Sequence, residues 1–191
     1  MSKFCSIFFS IIISVFGVAC SNSNNTESTI VKIKQYIETN NSDSLKNLHD
    51  SIKNDANLCE SIIKQTKDSS ELIHSATIAI ATTPQKAAQI TIDELLSMSP
   101  DNRSNAISLV KNINKWCNML YENGTYTKSL DSIANRLDLE KQVQLYTLVS
   151  DPKDLAYKVK HETNKQELIK AIEKQYNNNN ESLAEFHNAL K

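Results

Sequence analysis

Between Ser21 and Lys191 the chain contains a single glycine, Gly124. Phosphate-cradling loops, dinucleotide fingerprints and nucleophile elbows all need glycine where the backbone turns sharply or approaches a ligand closely. None of these can be written with one glycine. Tight β-hairpins draw on the same residue, and the chain has neither the alternating β-branched runs nor the turn clusters of a sheet protein. The consequence is an all-α fold.

The apolar residues are spaced accordingly. Ile30, Ile33 and Ile37 share one face of a stretch from Thr26 to Asn40, and Leu45, Leu48 and Ile52 follow a start at Ser42. Asp55 opens a third stretch with Cys59 and Ile62, and Ser69 a fourth with Leu72, Ile73, Ala76 and Ile80. Steps of three, four and seven mark the stripe of a core-facing helix. Thr83-Pro84, Ser99-Pro100 and Asp151-Pro152 place proline behind an N-capping side chain, where its missing N–H costs nothing. Ala106, Leu109, Ile113, Trp116 and Leu120 define the longest helix, which Gly124 is expected to end. Further helices are expected from Thr127, from Leu139 to Val149, and from Thr163, where Thr163 with Gln166 has the form of a capping box. Leu183, Phe186 and Leu190 suggest a last short one. The reading is an irregular multi-helix bundle or short α-solenoid of about nine or ten short helices, with consecutive helices packed as hairpins.

The first twenty residues carry a different signal. Lys3 precedes an apolar run from Phe4 to Ala19, broken only by a few serines and Cys5, and Gly17-Val18-Ala19 leads into Cys20. This is the charged, apolar and small-residue order of an export signal. Crossing a bilayer takes roughly 20 apolar residues, so an uncleaved anchor fits less well than a cleaved signal. With its cysteine after the cleavage point, the segment resembles the bacterial lipoprotein class. That resemblance implies a signal peptide over 1–19, lipidation of Cys20, and attachment to the membrane through the lipid. Ser21, where an inner-membrane retention signal would place Asp, favours the outer membrane facing the periplasm. Polar residues after Cys20 read as a tether over 20–26, ahead of one all-helical domain over 27–191. Secretion without lipid is the alternative address.

Cys59 and Cys117 remain once Cys5 and Cys20 are accounted for. In an oxidising compartment they are a candidate disulfide; otherwise they are two buried thiols on helix faces. With 21 basic and 22 acidic residues the formal charge is −1, and loss of Lys3 makes it one unit more negative. No basic stripe stands out, so nucleic acid is not an expected partner. The Lys-rich stretch from Lys153 to Lys174 is interleaved with Asp154, Glu162, Glu167 and Glu173 and reads as a solvated face.

Chemistry is sparsely written. His49, His74, His161 and His187 are scattered, without metal-ligand spacing, and read as exposed helix-surface residues. No metal or other cofactor is expected. Three Ser-x-x-Lys pairs occur without the companion motifs of penicillin-binding enzymes. Trp116, Tyr121 and Tyr126 cluster near the longest helix, as an interface or as core and helix-end packing. The expectation is a non-enzymatic, lipid-anchored helical domain of a bacterial envelope that binds a protein or peptide partner. The alternative is an envelope hydrolase whose site is assembled from distant carboxylates such as Glu94 or Glu122.

Overall fold

The computed structural model describes residues 25–177 and 179–191. The expected signal segment, Cys20 and most of the expected tether lie outside them. Among the described residues there are eleven α-helices and no strand, close to the nine or ten expected. The helices are α1 (residues 25–38), α2 (Ser42–Ile52), α3 (Ala56–Thr66), α4 (Glu71–Ala81), α5 (Pro84–Ser97), α6 (Arg103–Leu120), α7 (Thr125–Ala134), α8 (Leu139–Val149), α9 (Pro152–Lys160), α10 (Lys165–Gln175) and α11 (Asn180–Leu190). The chain divides into two compact units at Thr82/Thr83, where the sequence reading has one domain. The break falls where Thr82 and Thr83 run extended between the end of α4 and Pro84 at the start of α5.

Capping explains most of the boundaries. Asn41, Asp55, Thr83, Asp138, Asp151 and Asn179 each accept a hydrogen bond from a first-turn backbone N–H of the following helix. Each such cap contributes about 1 kcal/mol. The caps of α2 and α4 are Asn41 and Ser70, one residue before and one after the expected Ser42 and Ser69. At Pro100 the device opens a short 3₁₀ turn, Pro100–Asn102, and α6 follows it.

Glycine scarcity is solved with asparagine. After α1 the Asn40 N–H donates to Ile37 O at 3.1 Å and the Asn41 N–H to Tyr36 O at 2.9 Å, the paired bonds of a Schellman close. Asn40 supplies the left-handed conformation, φ 50°, which its short polar side chain tolerates better than most. Gly124 takes φ 81° as the N-cap of α7 rather than as the stop of α6, which ends three residues earlier with Tyr121 as C-cap.

Two further expectations are corrected. Asn25 and Thr26, assigned to the tether, are helical, and Thr26 is buried. Thr29 Oγ1 donates to Asn25 O at 2.8 Å and ties this first turn down. No disulfide joins Cys59 and Cys117: both are buried thiols. Cys59 Sγ instead donates to Ile52 O at 3.3 Å. Burial pushes the Cys117 thiol up to about 12.

The first unit centres on α4, packed by α2 and α3. Every residue of α4 from His74 to Ala81 is buried, so the helix is enclosed on all faces rather than on one stripe. His74, expected at the surface, is therefore interior, with Thr66 Oγ1 3.4 Å from its Nδ1. His49 is half-buried, its Nδ1 2.7 Å from Ile80 O near the carboxyl end of α4.

In the second unit the main pairings skip one helix: α5 with α7, α8 with α10, and α9 with α11. Consecutive hairpins were expected, and sequence periodicity carries no information about which neighbour a stripe meets. The unit has two apolar clusters. One gathers Ile92, Leu95, Ala106, Ala134, Leu145 and Leu148 from α5 to α8. The other gathers Val143, Leu155, Val159, Ile172, Tyr176 and Phe186 from α8 to α11. Helix α8 belongs to both, sending Val143 one way and Leu145 and Leu148 the other.

Candidate functional site

The cluster shared by α8, α9, α10 and α11 is not fully roofed. Between the end of α7 and helices α8, α9 and α10 lies a cleft of about 340 Å³. Its floor is the outer side of the core: Leu139, Val143, Leu155, Val159, Leu168 and Ile172. Its rim is polar, with Asn135, Gln142, Asn164, Tyr146, Lys158 and Glu162. An apolar floor with a few convergent polar groups, at this volume, has the character of a ligand site.

Local structure places each rim group. Leu139 and Val143 sit one turn apart on α8, with Gln142 and Tyr146 beside them at the same spacing. Gln142 Nε2 donates to Leu137 O at 2.9 Å and more weakly to Asn135 O at 3.4 Å. The amide thus closes the end of α7 and keeps its oxygen available. Leu155, Lys158 and Val159 repeat the pattern along α9. Asn164 is the N-cap of α10, yet its side chain makes no capping hydrogen bond. The expected Thr163–Gln166 capping box therefore does not form: the helix starts one residue later than that box requires. The Asn164 amide faces the cleft uncommitted.

The electrostatics centre on Tyr146. The Lys158 ammonium sits 5.9 Å from its ring centroid, the outer range of a cation–π contact. Burial pushes the Tyr146 phenol up, and the carboxylates of Asp131 and Glu162 push it further in the same direction. Neither carboxylate has an ion-pair partner among the described residues. On the floor side, Tyr176 packs edge-on to Phe186 at 6.2 Å between centroids. Burial carries its phenol up to about 12.

The residues singled out in the sequence lie elsewhere. Trp116 and Tyr126 are buried, with 3% and 1% of their surface exposed, and cannot serve as surface anchors. Tyr126 OH donates to Thr91 Oγ1 at 3.1 Å, which joins α7 to α5. Tyr121 is partly exposed as the C-cap of α6. Glu94 is half-buried on α5 and Glu122 exposed between α6 and α7, and neither lines the cleft. Glu162 is the single carboxylate among the cleft's lining residues. No group of three metal-ligating side chains occurs among the described residues, and none of the described helices is long and apolar enough to cross a membrane.

Sequence reasoning passed over the cleft because it dismissed the Lys153–Lys174 stretch as a solvated face. Compared with known proteins, the chain matches no family model, no curated protein and no solved structure.

Proposed function

We propose that this protein is a lipid-anchored helical binding protein of the bacterial cell envelope, held through Cys20 in the outer membrane and facing the periplasm. It takes a segment of a protein or peptide partner into the cleft between α8, α9 and α10. The observation that carries the binding role is the cleft itself, an uncovered side of a core cluster rimmed by three amides, a tyrosine and one charge of each sign. Primary amides offer both donors and acceptors and match a peptide backbone, while the floor accepts aliphatic carbon. The envelope address rests on the export-signal pattern ending at Cys20.

Two measurements test the two halves separately. Intact mass of the N-terminal peptide from native membranes should give a chain beginning at Cys20 with added acyl mass. An unmodified start there would mean free secretion. Crosslinking in intact cells should capture an envelope partner with the wild-type chain and lose it with Leu168→Glu, which places a charge on the partly exposed side of the cleft lining. Equal capture by both chains would move the binding surface elsewhere.

A further inference from the structure

Resting on the cleft being the binding site, we infer that it selects a cationic side chain with an apolar stem, an arginine or lysine of the partner peptide. The carbon stem would lie against Leu139 and Leu168, the partly exposed aliphatic residues of the lining, and the charged head beside the Tyr146 ring and Glu162. Long basic side chains are built this way, with an apolar stem and a polar end.

Three observations support a cation over an anion. Tyr146 already receives an ammonium, that of Lys158, 5.9 Å from its ring centroid, so the ring stands in a position that a cation reaches. Glu162 stands at the rim without hydrogen bond or ion pair to its carboxylate among the described residues. Asp131, exposed on α7, has no ion pair among the described residues either, and its charge adds to that of Glu162 at Tyr146. On this account Lys158 is a built-in stand-in for the ligand. It is exposed and holds the ring at the outer limit of useful distance, so an arriving guanidinium, which stacks better on an aromatic face, displaces it.

That arrangement fixes an unusual sign. For a cationic ligand Lys158 is a competitor, so removing it tightens binding; for an anionic ligand Lys158 is a contact, so removing it weakens binding.

The test is fluorescence anisotropy of two labelled, end-capped tripeptides against the full chain, one with arginine between two leucines and the other with glutamate. Photo-crosslinking of the same peptides locates them. The arginine peptide should bind more tightly and crosslink to α8–α10. Lys158→Ala should improve its affinity about three-fold, and Glu162→Gln should weaken it by about the same factor. A tighter glutamate peptide, with Lys158→Ala weakening it, would overturn the cationic assignment and leave the cleft as a binding site. Absence of binding by either peptide up to millimolar concentration would overturn the cleft as a peptide site altogether.

Discussion

Both units use buried polar side chains to tie helices together, as Tyr126 OH does with Thr91 Oγ1 in the second, and they differ at the edge of the core. In the first, polar side chains serve the interior: His49 reaches Ile80 O, Thr66 meets His74, and Cys59 donates to Ile52 O. Of the hollows along α1, one of about 250 Å³ has a single aliphatic residue in its lining, Leu48, and a shallow one of about 680 Å³ has two, Ile30 and Val31. In the second unit a core cluster reaches the surface, and several amides and charges beside it have nothing internal to do. A helix surrounded on all sides makes a framework, whereas a helix packed on two sides leaves a place for something else.

Core truncation should show the contrast most strongly. Ile78→Ala, in the enclosed α4, is expected to cost about 4 kcal/mol, because no neighbour can relax into the void. Ile172→Ala, beside the cleft, should cost about 2 kcal/mol, since the hole opens toward solvent. Urea unfolding followed by circular dichroism measures both; equal losses would erase the distinction.

A next effect concerns the two thiols. Reduction should change neither gel mobility nor thermal stability, and Cys117 should alkylate only on unfolding. Burial holds its pKa at about 12 in the folded chain, well above the ordinary thiol range. The folded state therefore keeps the neutral thiol, and its contribution is complete below pH 9. Stability should fall as pH rises from about 9 toward 12, more for the wild type than for Cys117→Ala.

Smaller differences come from the turns. Gly124→Ala should cost about 1 kcal/mol despite open space around the added carbon, because the penalty is conformational. Asn40→Gly should gain about 0.5 kcal/mol by relieving the same conformation in the first unit. The finest comparison is between two helix-start asparagines. Asn41→Ala should cost about 1 kcal/mol, having lost a real cap. Asn164→Ala should be close to neutral for stability while weakening peptide binding. If Asn164→Ala destabilised as much as Asn41→Ala, the Asn164 amide would be structural and not held for a ligand.

Much of the fold was legible because helices announce themselves locally. The i, i+3, i+4 stripes of Leu45, Leu48 and Ile52, and the proline starts at Pro84 and Pro152, stand in the helices as read. What a stripe packs against is a long-range fact. Nothing local distinguishes α5 meeting α7 from α5 meeting α6, and nothing marked α4 for complete enclosure beyond its run of small and β-branched residues. The cleft was illegible for the same reason: Tyr146, Lys158 and Asn164 look like ordinary helix-surface residues until three helices converge. Trp116 and Tyr126 drew attention for their size, and size is what put them inside.

Because α8 sends Val143 toward the cleft and Leu145 and Leu148 into the opposite cluster, it works as a party wall between two rooms. Whatever presses on one side is heard on the other. A ligand that stiffens α8 from the cleft should slow amide hydrogen exchange in α5 and α7, and the far room thereby becomes the listening post for the near one.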